Sequence, residues 1–173
     1  MNKSKKLLVF ALQMISAAVL VLADQWFKAL AVEHLMGKDD IVLIKNFLSL
    51  SYAENTGAAF SVLSDSTMLL SVLTLLLLAG GVAFLLFGKI QGKILNVCAV
   101  LILAGGAGNL VDRFAQGYVV DYIKTLFIDF PVFNFADCFI TVGEFILIGY
   151  LLWDIFRDFK KGKTEKDKVK SDE

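Results

Sequence analysis

MLLSVLTLLLLAGGVAFLLF, residues 68–87, holds no charged side chain. At about 1.5 Å per residue it is long enough to cross the ~30 Å hydrocarbon layer of a bilayer as one helix. Three further runs of the same grade lie on either side of it: Leu7–Ala23, Ile94–Leu110 and Phe135–Phe156. The first ends in Val21-Leu22-Ala23, which would pass as a signal-peptide cleavage site, but three later spans favour a retained helix continuing through Asp24 to Lys28. The third is rich in small residues, Ala104-Gly105-Gly106-Ala107-Gly108, which let a neighbouring helix come close.

Composition agrees. Hydrophobic residues make up 57% of the 173, mean hydropathy is +0.70 and there is a single proline, so a soluble domain wetted on every face is excluded. Net charge is zero, but lysines and arginines gather at Lys3–Lys6, at Lys89 and Lys93, and from Arg157 to Lys170. The positive-inside rule puts those three segments in the cytoplasm, and both termini with them. The fold class expected is a membrane α-helical protein with four transmembrane helices and cytoplasmic N and C termini. The segment 33–66 is too polar to span. In it Leu48-Ser49-Leu50-Ser51-Tyr52-Ala53 alternates with period two, and Glu54-Asn55-Thr56-Gly57 reads as a turn, so a small extracytoplasmic β platform of about 37–62 is expected between helices 1 and 2. Residues 1–159 then form one membrane domain, Leu126–Pro131 is extended, and the charged tail 160–173 is disordered.

Two acids stand out in this apolar background. Asp121 in Val119-Val120-Asp121-Tyr122 and Asp137 in Asn134-Phe135-Ala136-Asp137 fall at the outer ends of spans three and four. An unpartnered carboxylate is costly there, so each is a functional candidate. Two carboxyls sharing a low-dielectric boundary cannot both ionise readily, so they hold one proton between them. That arrangement suits hydrolysis of a peptide or ester: the ionised acid takes a proton from an attacking water while the protonated one donates to the carbonyl oxygen. Cys98 and Cys138 lie at different depths, too far apart for a disulfide, and with the lone His34 in a polar loop no zinc site is expected.

Five ordered segments carry a resemblance: Asp24-Gln25-Trp26-Phe27-Lys28, Glu54 through Phe60, Gly108-Asn109-Leu110-Val111-Asp112-Arg113, Val119-Val120-Asp121, and Phe133 through Asp137. Together they resemble the signature blocks of the bacterial lipoprotein signal peptidases, or signal peptidase II. The resemblance implies an aspartyl protease of the bacterial inner membrane that cuts prolipoproteins before a diacylglyceryl-modified cysteine, its active site on the extracytoplasmic side. Asp121 and Asp137 match the family's catalytic pair. Asn55, Gly57, Gly108, Asn109, Asp112, Arg113, Asn134 and Ala136 match positions around the substrate, and Asp24 with Lys28 matches the first block. Phe135 stands where many members carry an aliphatic residue. The implied partners are the lipid-modified prolipoprotein and membrane lipid, with no nucleic acid, no metal or cofactor, and a monomeric enzyme.

Plainer readings compete. Asn109, Asp112 and Arg113 share one helical face and could simply finish a helix; read as support, Asp112 orients Arg113. Asp24 and Lys28 could be interfacial anchors. Glu144, two turns below Asp137, matches no family position and could bond Asn96, Thr74 or Gln13. Ser61, Ser64 or Ser66 with Lys28 would make a Ser/Lys hydrolase, and intramembrane acids also serve a small transporter or channel subunit.

Overall fold

In the computed structural model, residues 3–57, 67–87 and 92–171 are described. The order is α1 (Lys3–Leu35), β1 (Ile41–Ile44), β2 (Leu48–Asn55), α2 (Thr67–Phe87), α3 (Lys93–Gln116), β3 (Val119–Thr125) and α4 (Phe135–Ser171). All four helices are long and apolar enough to cross a membrane. Burial is inverted relative to a water-soluble bundle. Leu12, Leu77, Phe145 and Ile155 face outward, whereas Asp24, Lys28, Asn109 and Asn134 are buried. Lipid can solvate the first group and only protein can satisfy the second.

α3 is the helix around which the others pack, and its small residues explain why. A β-carbon on Gly105 would lie 2.4 Å from the Ala136 carbonyl oxygen of α4, one on Gly106 3.0 Å from Leu78 of α2, and one on Gly108 2.6 Å from the Asp24 carboxylate of α1. Three glycines within one turn thus face three different helices. The expected close approach occurs, and Gly105 admits no larger residue because the atom it would meet is backbone.

Several elements run longer than the sequence reading expects. α1 extends to Leu35, so His34 sits in the last turn of a helix rather than in a loop. Asp24, Lys28, Ala31 and Leu35 recur at helical spacing and all are buried, giving α1 one packed face to its end. α3 continues past Leu110 to Gln116 and stops where Gly117 takes φ 85° and donates its N–H to the Arg113 carbonyl. Asn109 and Asp112 therefore lie inside a helix, and Arg113 falls in its last turn. α4 continues to Ser171, where disorder is expected from Lys160 onward; lysine and glutamate are good helix formers, and no proline interrupts the run.

The β platform exists but is built differently. It is a three-stranded antiparallel sheet ordered β1-β2-β3, and its third strand comes from between α3 and α4. Because β2 is the central strand, Ser49 is covered between Val42 and Lys124 rather than lying on a wet face, and its hydroxyl has no partner among the described residues. Of the stretch Leu126–Pro131 expected to be extended, Leu126–Ile128 bend away after β3, and Phe127 stacks on Phe47 at 4.8 Å. Val120 and Tyr122 pack against Ala31 and Leu35 at the end of α1. Alternation along β3 then turns Asp121 to the opposite face. Lys89, Ser61, Ser64 and Ser66 lie outside the described residues, as does the end of the 37–62 platform.

Candidate active site

Asn134-Phe135-Ala136-Asp137 starts α4 through reciprocal bonds. The Asn134 side-chain oxygen accepts the Asp137 N–H at 3.0 Å, and the Asp137 Oδ2 accepts the Asn134 N–H at 3.0 Å. This is a capping box with Asn and Asp in place of the usual Ser/Thr and Glu. The first turn is also capped from another helix, because Asp24 Oδ1 on α1 accepts the Ala136 N–H at 2.9 Å. A carboxylate at a helix N-terminus is favoured by the exposed N–H groups there, so Asp137 is held where its charge is stabilised.

Asp121 reaches the same place by a backbone splice. Phe133, the residue before the cap, pairs with Ile123: the Phe133 carbonyl accepts N–H groups from Tyr122 and Ile123, and Phe133 N–H donates to the Ile123 carbonyl. β3 is thereby bound to the start of α4. Asn134 Nδ2 donates to Asp121 Oδ1 at 2.6 Å, and Asn55 Nδ2 donates to Asp121 Oδ2 at 2.9 Å. Asn55 arrives through strand register, since Ala53 pairs with Asp121 and Asn55 with Val119. Its own oxygen accepts the Gly57 N–H at 3.0 Å, and the Gly57 carbonyl accepts from Arg113 Nη2 at 2.9 Å. The turn expected at 54–57 is thus an Asx turn leaving the end of β2.

Beneath the two aspartates lies a buried polar cluster. Lys28 Nζ meets Asp24 Oδ2, Asp112 Oδ2 and Asn109 Oδ1, each at 2.9 Å, and is only 3% exposed. Asn109 Nδ2 donates to Asp137 Oδ1 at 2.8 Å, and its oxygen also accepts from Asn134 Nδ2 at 3.0 Å. Asp112 takes the Val120 N–H at 3.2 Å, so it fixes β3 beside Asp121 and pairs with Lys28 rather than orienting Arg113. Nor are Asp24 and Lys28 interfacial anchors: both are buried and both touch the cluster.

Every residue matched to the family segments' site positions therefore falls in one connected network, with Ala136 fully buried against Gly105 and Gly108. Sequence reasoning assigned no role to Gln25. Its amide donates to Asp112 Oδ1 at 2.8 Å and to the Gly108 carbonyl at 3.1 Å, tying α1 to α3. Its polarity between Asp24 and Trp26 was the available signal. Glu144 stays outside the network. It is exposed on α4 and makes no hydrogen bond to Asn96, Thr74 or Gln13. Cys98 and Cys138 are free, and Asp154 pairs with Arg157, which also lies over the Trp153 ring at 5.1 Å.

The two aspartates differ in environment. Burial, and then the charge of Asp137, push the Asp121 carboxyl up to about 7, with the Asn55 and Asn134 amides pulling it partly back. Both oxygens of Asp137 accept from N–H donors, at Asn109 and Asn134. Asp121 is thus pushed toward holding a proton near neutral pH, a tilt that the sequence alone could not give.

A model of the signal peptidase (SPase) II family matches residues 16–153. The chain belongs to the signal peptidase II family. Among its relatives in that family, the lipoprotein signal peptidase of Clostridium acetobutylicum is 34% identical over 153 residues, covering 87% of this chain and 97% of its own. That of Chlorobium phaeobacteroides is 40% identical over 143 residues, covering 76% and 90%. A solved structure described as a bacterial membrane enzyme, determined by the in meso method at 2.3 Å resolution, superposes with a TM-score of 0.76 at 32% identity, covering 84% of this chain and 90% of that one. Signal peptidase II membership and the four-helix membrane fold with its small sheet thus agree.

Proposed function

We propose that this chain removes signal peptides from diacylglyceryl-modified prolipoproteins, cutting before the lipidated cysteine by aspartic catalysis at Asp121 and Asp137. The observation that carries this reading is that both carboxylates are bonded to the one residue Asn134, with burial and the neighbouring charge pushing Asp121 up to about 7. Asp137 takes a proton from a water as its oxygen attacks the scissile carbonyl, and Asp121 gives its proton to the carbonyl oxygen as negative charge develops there. When the tetrahedral intermediate collapses, the leaving nitrogen is protonated and the pair regains its single proton. Arg113 and Asn55 stand beside the pair to hold extended substrate backbone, and no metal or cofactor takes part.

The membrane setting suits that substrate. With both termini cytoplasmic, the sheet and the aspartates lie on the extracytoplasmic side of the bacterial inner membrane. A signal peptide entering as a helix delivers its C-terminal cleavage point to that level, and its lipid lies along the apolar outer faces. Residues 1–159 act as one unit, functional as a monomer. A transporter or channel has little in its favour, because its best candidate, Glu144, lies apart from the polar network.

The direct experiment incubates the purified protein with a precursor, with and without prior diacylglyceryl modification, and separates the products by size. Shortening of the modified precursor alone is expected; no cleavage of it would end the proposal. The rate has a predicted alkaline limb. Catalysis needs Asp121 protonated, and its proton is lost as pH rises through about 7, so kcat/KM falls about tenfold per pH unit above that point. A rate constant flat to pH 9 would assign the acid role elsewhere.

A further inference from the structure

We propose that Lys28 is a positioning residue for this reaction: as a group that can only donate, it fixes which way the Asn109 and Asn134 amides point, and so turns N–H donors toward both aspartates. The inference rests on the proteolytic reading of Asp121 and Asp137.

An asparagine side chain has an accepting end and a donating end of nearly the same shape, so its direction is set by its neighbours. Asn109 sits between Lys28 and Asp137. An ammonium cannot accept, so Asn109 turns its oxygen to Lys28 Nζ at 2.9 Å, leaving Nδ2 to donate to Asp137 Oδ1 at 2.8 Å. The same oxygen accepts from Asn134 Nδ2 at 3.0 Å. That sets the second amide, whose Nδ2 also reaches Asp121 at 2.6 Å while its oxygen takes the Asp137 N–H at 3.0 Å. Reversing Asn109 would set an N–H against an ammonium and a carbonyl against a carboxylate.

Lys28 has no slack of its own. Asp24 and Asp112 hold it at 2.9 Å each, and each is anchored by a backbone N–H, that of Ala136 and that of Val120. Orientation therefore passes from backbone through Lys28 and two amides to the reacting carboxyls, although Lys28 itself is bonded to neither of them.

The test compares the purified protein with Lys28→Met, Asn109→Ala and the double variant, measuring kcat and KM on a diacylglyceryl-modified precursor in detergent and thermal unfolding of each. Lys28→Met is expected to lower kcat roughly 30-fold with KM changed less than about threefold. In the Asn109→Ala background the same change should lower kcat by no more than about threefold, because the path it acts through is gone. A full loss in that background, or a kcat near the parent's in Lys28→Met alone, overturns the proposal. If Lys28→Met does not fold, Lys28→Met/Asp112→Asn is compared with Asp112→Asn, removing one cation and one anion together. If that too is unfolded, Lys28 is a structural residue only and the proposal fails. Absence of processing by the unaltered protein would overturn the proteolytic reading, and this role with it.

Discussion

Asp121→Asn and Asp137→Asn are each expected to lower processing of a diacylglyceryl-modified precursor by roughly a thousandfold or more, with the protein still folded in detergent. The two variants fail for different reasons. Asn at 121 cannot release a proton to the developing oxyanion. Asn at 137 cannot take one from water. Each change also has a small structural cost, because both oxygens of both aspartates accept hydrogen bonds, and an amide must turn its NH2 toward a donor on one side. One such mismatch costs about 1–3 kcal/mol, too little to unfold the chain unaided. Thermal unfolding run beside the processing assay separates the two effects. Turnover within tenfold of the parent in either variant would remove that aspartate from the catalytic pair.

The largest stability effect is expected at Asp24. Asp24→Ala breaks an ion pair buried on both sides, orphans the Ala136 N–H at the start of α4, and empties the space that Gly108 leaves for the carboxylate. Removing one partner of a buried pair costs about 3–5 kcal/mol, against a total domain stability of about 5–15 kcal/mol. Little folded protein should be recovered, and its unfolding midpoint should fall sharply. Asp24→Asn keeps an acceptor for Ala136 and should fall less. A midpoint for Asp24→Ala close to the parent's would show that Asp112 alone can hold Lys28 and that the link from α1 to α4 is dispensable.

The helices were legible because each is an uninterrupted apolar run, and hydropathy reads such runs directly. Their ends were not. α1 keeps a packed face to Leu35 through polar sequence because the sheet covers it, and no local signal carries that fact. β3 was missed for a related reason: Val119 through Tyr122 are buried on both faces, so the alternation that marks a half-wet strand is absent, and its partner β2 lies over 60 residues earlier in the chain. The five family-like segments named the residues that the fold gathers into one polar network. The chain did not reveal that Phe133 splices β3 to the cap, or that Lys28 and Asn109 connect across the bundle. Such contacts depend on the relative depth and rotation of α1 and α3, which composition leaves open. The capping box is written in the chain as Asn-x-x-Asp, but the same two residues also carry the polar network, so their pattern alone does not separate helix initiation from chemistry.

That overlap ties turnover to the mechanical state of α4. In the proposed reaction a proton taken up by Asp137 would weaken the acceptor that holds the Asn134 N–H, and with it the cap on the first turn of the helix. The bond from Ala136 N–H to Asp24, made to a separate helix, does not depend on Asp137 and would keep that coil wound while the proposed pair resets.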